Sequence, residues 1–202
     1  MRRTPHFTTE DEAVVKRLIR ENPWVTFVSN TSTGLVASHY ATLLEEDADG
    51  ISIVSHFGRP DEKLHELGVH EMLVIVQGPH GYISPGWYAD GDFIPTWNHV
   101  TAHLYGTPEI LSAEENFLIL QRLVDHFERR MPHPVSLDYD EEYARRVAIG
   151  TVGLRIRITR IDARLKLSQN KPAEVRETII GALESEGPYA HQGLAEEMRR
   201  LE

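Results

Sequence analysis

Between Gln77 and Gly106 the chain reads QGPHGYISPGWYADGDFIPTWNHVTAHLYG, and this stretch holds two of the three tryptophans and three of the eleven histidines. Trp87, Tyr88 and Trp97 offer flat apolar faces, while Gln77, His80, Thr96 and Asn98 offer donors and acceptors. Pro79, Pro85 and Pro95 stiffen the backbone; Gly78, Gly81 and Gly86 permit close approach. Such a mixture suits a planar heteroaromatic ligand, which needs stacking surface and a few placed polar groups. It suits a dimer interface equally, because Trp and Tyr dominate those as well. The stretch reads as a loop between two strands, EMLVIV before it and HLYGTPEIL after it.

Other residues narrow the chemistry. His99 and His103 are four apart, which on a helix would make a metal-chelating pair. TWNHVTAHLYG is rich in Thr, Val and aromatics and reads as a strand, where positions four apart share a face at roughly 13 Å, too far for one ion. His103 reads either as a ligand-side group or as a hydrogen-bonded core or interface residue. Ser84 in YISPGW lacks the GxSxG turn of an exposed catalytic serine. The chain has no cysteine, which removes disulfides, thiolate metal sites and a cysteine nucleophile. In DARLKLSQNK, residues Lys166, Ser168, Gln169, Asn170 and Lys171 lie after a strand and before a Pro172 helix. They suit a phosphate seat at a helix N-terminus or a plain turn capped by Asn170. Arg59 and Lys63 add charge there or form a solvated helix face.

These groups need elements to hold them. TTEDEAVVKRLIREN predicts a helix from a Thr9/Glu12 capping box to Asn22-Pro23. WVTFVSNTSTGLVASHYATLLEE predicts a hairpin about Thr33-Gly34, ISIVSHF a third strand, and RPDEKLHELG a short helix with Gly68 as its C-cap. EMLVIVQG and TWNHVTAHLYGTPEIL add strands, and SAEENFLILQRLVDHFERR predicts a helix opened by a Ser112/Glu115 capping box. DEEYARRVA predicts a shorter helix, GLRIRITRIDARLKLS one strand with a wet face, and the segment after Pro172 two helices around EGPY. About six strands with helices between and at the ends predict a β-barrel decorated by helices. The 202 residues suit one domain, 1–202, with a helical C-terminal tail from about 172. No GxGxxG or Walker-type loop is present. No apolar run approaches the roughly 20 residues of a membrane span, so a soluble, cytoplasmic protein is expected. The net charge of −10 opposes non-specific nucleic-acid binding, and no basic recognition helix is legible.

QGPHGYISPGWY, IPTWNHVTAHLYG and KLSQNK, in that order, resemble the PaiB-like family of FMN-binding negative transcriptional regulators, and the resemblance runs from TPHFTTEDE to KLSQNKPAEVRETIIGALE. It implies an α+β fold, an FMN-binding split β-barrel like pyridoxamine 5′-phosphate oxidase with flanking helices. It also implies a homodimer with FMN in a cleft between protomers. On that resemblance Pro95, Thr96, Trp97 and Asn98, with His103 in the same motif, lie near the flavin or the dimer seam. Lys166, Ser168, Gln169 and Asn170 serve the same cleft, and His56 and Arg59 match the family's strand-end segment. That segment departs from a pattern such as HFARANPQW: here it is HFGRPDEKL, and Asp61 and Glu62 are expected to make the wall more acidic. The implied function is FMN-binding negative regulation. The alternative is a flavin-dependent oxidoreductase or a haem-binding split barrel that does not touch DNA.

Overall fold

The computed structural model describes residues 4–46, 49–88 and 94–201. In chain order the strands are β1 (Thr8–Thr9), β2 (Trp24–Thr31), β3 (Gly34–Leu44), β4 (Ser52–Gly58), β5 (Met72–Ile83), β6 (Thr96–Gly106), β7 (Pro108–Ile110), β8 (Thr151–Arg157) and β9 (Arg160–Lys166). The helices are α1 (Glu12–Glu21), α2 (Arg59–Leu64), α3 (Ala113–Glu128), α4 (Glu141–Ala148), α5 (Ala173–Glu184) and α6 (Gln192–Arg199). Two compact units are distinguished: one of residues 12–76 and 103–161, the other of the segment up to Asp11 with 77–102 and 162–202. Strands β5 and β6 each contribute to both.

In the larger unit the strands run in the order β5-β2-β3-β4-β8-β7. The β2–β3 hairpin turns at Thr31↔Gly34, where Gly34 takes φ +120° and meets the turn's need for a left-handed residue. Alternation then decides the faces: Val25, Phe27 and Ser29 of β2 are buried while their neighbours are wetter. Phe27 and Phe57 meet edge to face at 4.9 Å, and Leu43, Val54, Leu111, Ile119 and Leu123 form a cluster beneath α3. Helix α1 turns Val15, Leu18 and Ile19 inward at helical spacing. It stops where Asn22 donates to the Leu18 carbonyl, just ahead of Pro23.

The Ser112/Glu115 capping box on α3 is present: Ser112 Oγ accepts from the Glu115 amide at 3.3 Å, and Glu115 accepts from the Ser112 amide at 2.9 Å. Ser112→Ala should lower stability by about 1 kcal/mol, read as a shift of the urea midpoint with an unchanged m value. No shift would mean that the fold, and not this cap, holds the end of α3.

The smaller unit orders its strands β1-β9-β6-β5 and adds α5 and α6. Ile83, Val100, Leu167, Ile179, Ile180, Leu194 and Met198 are among its fully buried apolar residues.

Four expectations change. The described residues contain nine strands, not six. GLRIRITRIDARLKLS is two strands, since the Ile158 amide turns to Ile51 O and the Thr159 amide to Tyr105 O, both at 2.9 Å. Thr9 caps nothing on Glu12; it pairs with Ala163 as part of β1, and its hydroxyl accepts from the Asp11 amide. The segment Gln77–Ile83 is strand, not loop, so the connection to β6 begins only at Ser84. Among the described residues no helix is long and apolar enough to cross a membrane.

Candidate functional site

In the smaller unit β6 starts at Thr96, and strand alternation puts Trp97 outward and Asn98 inward. The Trp97 indole is 57% exposed and stands edge-on to Tyr82 of β5, with ring centroids 6.1 Å apart. Tyr82 in turn contacts Tyr189, from the link between α5 and α6, at 4.9 Å. The three rings make an open aromatic wall with an apolar face.

Cations gather beside it. Lys166, the last residue of β9, donates its Nζ to Thr96 Oγ1 and to the Trp97 carbonyl, the latter at 2.9 Å. Partial burial lowers its pKa. His99 is pushed down by burial first, then by the positive charges of Lys166, Arg164 and His80. Arg164 is buried and paired with Asp162 at 3.2 Å. Gln77 Nε2 meets His80 at 3.3 Å, and Lys171 lies over the Tyr88 ring at 4.7 Å. A planar, negatively charged aromatic ligand fits this set: rings to stack on, and cations to hold an anionic group.

The remaining predicted residues of this unit have structural duties. Asn98 is fully buried and donates from Nδ2 to Ser168 Oγ at 3.0 Å, while Ser168 Oγ lies 3.2 Å from Asn98 Oδ1. Met198 Sδ is a further acceptor for Asn98 at 3.6 Å. Ser168 has φ +60°, a left-handed conformation uncommon for a residue with a Cβ, and this latch holds it there. Gln169 braces the same turn: Oε1 accepts from the Leu167 amide at 2.8 Å and Nε2 donates to Leu165 O at 2.6 Å. Asn170 and Pro95 are exposed. The structure therefore brings Thr96, Trp97 and Lys166 into one open site and puts Asn98, Ser168 and Gln169 behind it as its frame. Tyr82, Tyr189 and Arg164 belong to the site but were not singled out from the sequence. Only Tyr82 carried a signal, its place in the aromatic-rich stretch.

His56, Arg59 and His103 lie in the larger unit. The His56 ring is edge-on to Tyr40 at 6.0 Å, and burial lowers its pKa. Arg59 donates Nε to Ile149 O at 2.8 Å and pairs with Glu62 at 2.9 Å. His103 is half-buried beside Leu104. Asp61 accepts from Ser38 and Tyr40, each at 2.8 Å, and Glu62 pairs with Arg59. Among the described residues no group of three or more metal-binding side chains is present.

A family model described as "Putative FMN-binding domain" matches residues 1–160. The chain belongs to this family. As an FMN-binding domain it carries Thr96 and Trp97 inside the matched region, while Lys166 lies beyond it. It is 30% identical over 191 residues to "Protease synthase and sporulation protein PAI 2" of Bacillus subtilis, covering 93% of this chain and 91% of that one. The fold is the α+β split β-barrel with flanking helices. It resembles a FAD and haem binding protein from Mycobacterium smegmatis, with TM-score 0.61, 18% identity and coverage of 90% and 81% of the two chains. It also resembles the flavocytochrome Anf3 from Azotobacter vinelandii, with TM-score 0.61, 15% identity and coverage of 82% and 72%. FMN is the cofactor that this family's domain holds, and the aromatic and cationic groups around Trp97 fit its ring and phosphate.

Proposed function

We propose that this protein is a PaiB-like FMN-binding protein, a homodimer that acts as a negative regulator of transcription. The flavin ring packs on the Trp97–Tyr82–Tyr189 wall, and its phosphate faces the cations around His99. The observation that carries this reading is the exposed Trp97 indole beside Lys166, whose ammonium is already oriented by Thr96 Oγ1 and the Trp97 carbonyl. Bound FMN supplies redox chemistry; the chain orients it and sets the charge around it. The regulatory role is supported by the similarity to PAI 2 over nearly the whole chain. The net charge of −10 favours repression through a partner or through flavin state over direct reading of DNA.

A flavin-dependent oxidoreductase is the second reading, favoured by His99, which burial and neighbouring cations hold neutral as a proton acceptor. A salt-titrated gel shift tests direct repression, which tight, salt-sensitive, sequence-selective binding would establish.

FMN titration followed by flavin fluorescence quenching should saturate at about one FMN per chain. Trp97→Ala and Lys166→Met should each weaken binding by about tenfold. Glu114→Ala, an exposed change in the other unit, should leave affinity unchanged. Equal affinities for Trp97→Ala and Glu114→Ala would sink the site assignment.

A further inference from the structure

A cationic groove lies wholly in the larger unit, between α1, the end of β3 and the C-terminal half of α3. Its volume is about 690 Å³, within the range of small-molecule sites. Arg20 lines it from α1 and Leu43 and Leu44 from β3, while Arg122, His126 and Arg129 follow along α3 to its C-cap. These last three stand at i, i+4 and i+7, so they share one helix face and extend over roughly 10 Å. Arg130 joins them just past the helix end.

The charges here are unlike those of the rest of the unit. Elsewhere Arg17, Arg20, Arg59, Arg145, Arg155 and Arg160 meet carboxylates at 2.6 to 3.3 Å. Arg122, Arg129 and Arg130 have no ion pair or side-chain hydrogen bond among the described residues, although the chain carries a net charge of −10. The acids of the lining are committed to other groups. Glu46 is held by Nε and Nη2 of Arg20, each at 2.6 Å, and Glu21 by Arg17 at 2.7 Å. That leaves Asp125 against three guanidiniums.

The helix dipole accounts for cations at the end of α3, but it fades within the last turn and gives Arg122 nothing. His126 is pushed down by burial first, then by the positive charges of Arg129 and Arg130, so at neutral pH it is an uncharged donor in the same cluster. Guanidinium forks match phosphate oxygens in pairs, and cations placed in line call for anionic groups in line. A long polyanion is disfavoured, because a strand leaving the groove would meet Glu21, Glu46 and an acidic surface beyond.

We propose that this groove binds a short linear oligophosphate, free or as the tail of a nucleotide, with its phosphates on Arg122, Arg129 and Arg130. The inference stands apart from the flavin reading, because it uses no residue of the Trp97 site.

The test is calorimetric titration of the full chain with inorganic triphosphate, ATP and citrate at about physiological ionic strength. Saturable binding of one triphosphate per chain is expected, with citrate, whose charges are not in line, about tenfold weaker. Arg122→Gln and Arg129→Gln should each weaken triphosphate binding about tenfold. Arg157→Gln removes the same charge from an exposed arginine of β8 and should leave the affinity unchanged. ATP binding at least as tight as triphosphate assigns a nucleotide tail, and weaker ATP binding assigns the free oligophosphate; both support the proposal. No saturable binding, equal affinity for citrate, or an equal loss in Arg157→Gln would overturn it. So would tighter binding of a short oligothymidylate or of polyglutamate, which would assign the groove to a nucleic acid or to an acidic protein. Loss of triphosphate binding in Lys166→Met would place the anion at the Trp97 site and overturn it as well. FMN affinity should be unchanged in Arg122→Gln, so failure of one reading is not mistaken for failure of the other.

Discussion

Gly106→Ala should cost about 3 kcal/mol of folding stability, near the upper end for overpacking a core with one methyl. A Cβ on Gly106, the last residue of β6, would stand 2.3 Å from the Arg157 carbonyl oxygen and 2.7 Å from Ile156 Cγ2. Neither neighbour has room to yield. Arg157 is paired with Ser52 at the end of the β4–β8 ladder, and Ile156 is fully buried. The crossing is pinned again one residue earlier, where Tyr105 O accepts from both the amide and the hydroxyl of Thr159, at 2.9 and 3.2 Å. Space is the cause here and not a left-handed backbone, so any side chain is excluded. Gly181→Ala is the matching control. It lies inside α5 with nothing within 4 Å of the added methyl, and should gain up to about 1 kcal/mol from helix propensity. Urea unfolding measures both, and a loss below about 0.5 kcal/mol for Gly106→Ala would show that β6 and β8 can part at little cost.

The contrast between these glycines shows what the sequence could reveal. Local signals were legible: the Ser112/Glu115 box, the hairpin at Gly34 and the stop at Asn22-Pro23 rest on short-range hydrogen bonds. Gln77–Ile83 misled because Gly78, Pro79 and Gly81 read as loop chemistry, whereas their reason is tertiary. Gly81 lets Leu194 of α6 approach to 3.0 Å from where a Cβ would be, and Pro79 lies against Gly193. No local pattern announces a helix that arrives more than a hundred residues later. The site was half legible for the same reason. Trp97 and Lys166 could be picked out by type and motif, but the burial of Asn98 against Ser168 depends on β6 lying beside the turn after β9. Spacing could not tell a ligand-facing polar group from one that frames the site.

His65→Ala should destabilise the larger unit by about 3 kcal/mol and should also change how stability depends on pH. The ring is buried, edge-on to Phe57 at 5.3 Å, and joins Ser29 at 2.8 Å to Ser38 at 3.0 Å. Its protons can be assigned from the network. Asp61 accepts from Tyr40 and from Ser38, so the single Ser38 proton is engaged and Ser38 Oγ must accept from His65 Nε2. The other nitrogen, Nδ1, then accepts from the Ser29 hydroxyl. Truncation leaves two buried hydroxyls short of a partner and a cavity beside Phe57. Protonation is the milder version of the same damage, because an imidazolium cannot accept from Ser29. Burial lowers the His65 pKa, and the Asp61 carboxylate opposes that without reversing it. The unfolded chain therefore binds the proton more readily than the folded one. The contribution is fully present above the ordinary histidine range, near 6.5, and is lost as pH falls through the lower folded value. His56, His99 and His126 are shifted in the same direction, so the unmodified protein should lose stability steadily from pH 7 to pH 5. Urea midpoints measured across that interval should fall less steeply in His65→Ala, by up to the uptake of one proton. Parallel curves would mean that His65 takes up its proton equally in both states and that the acid sensitivity belongs to the other three histidines.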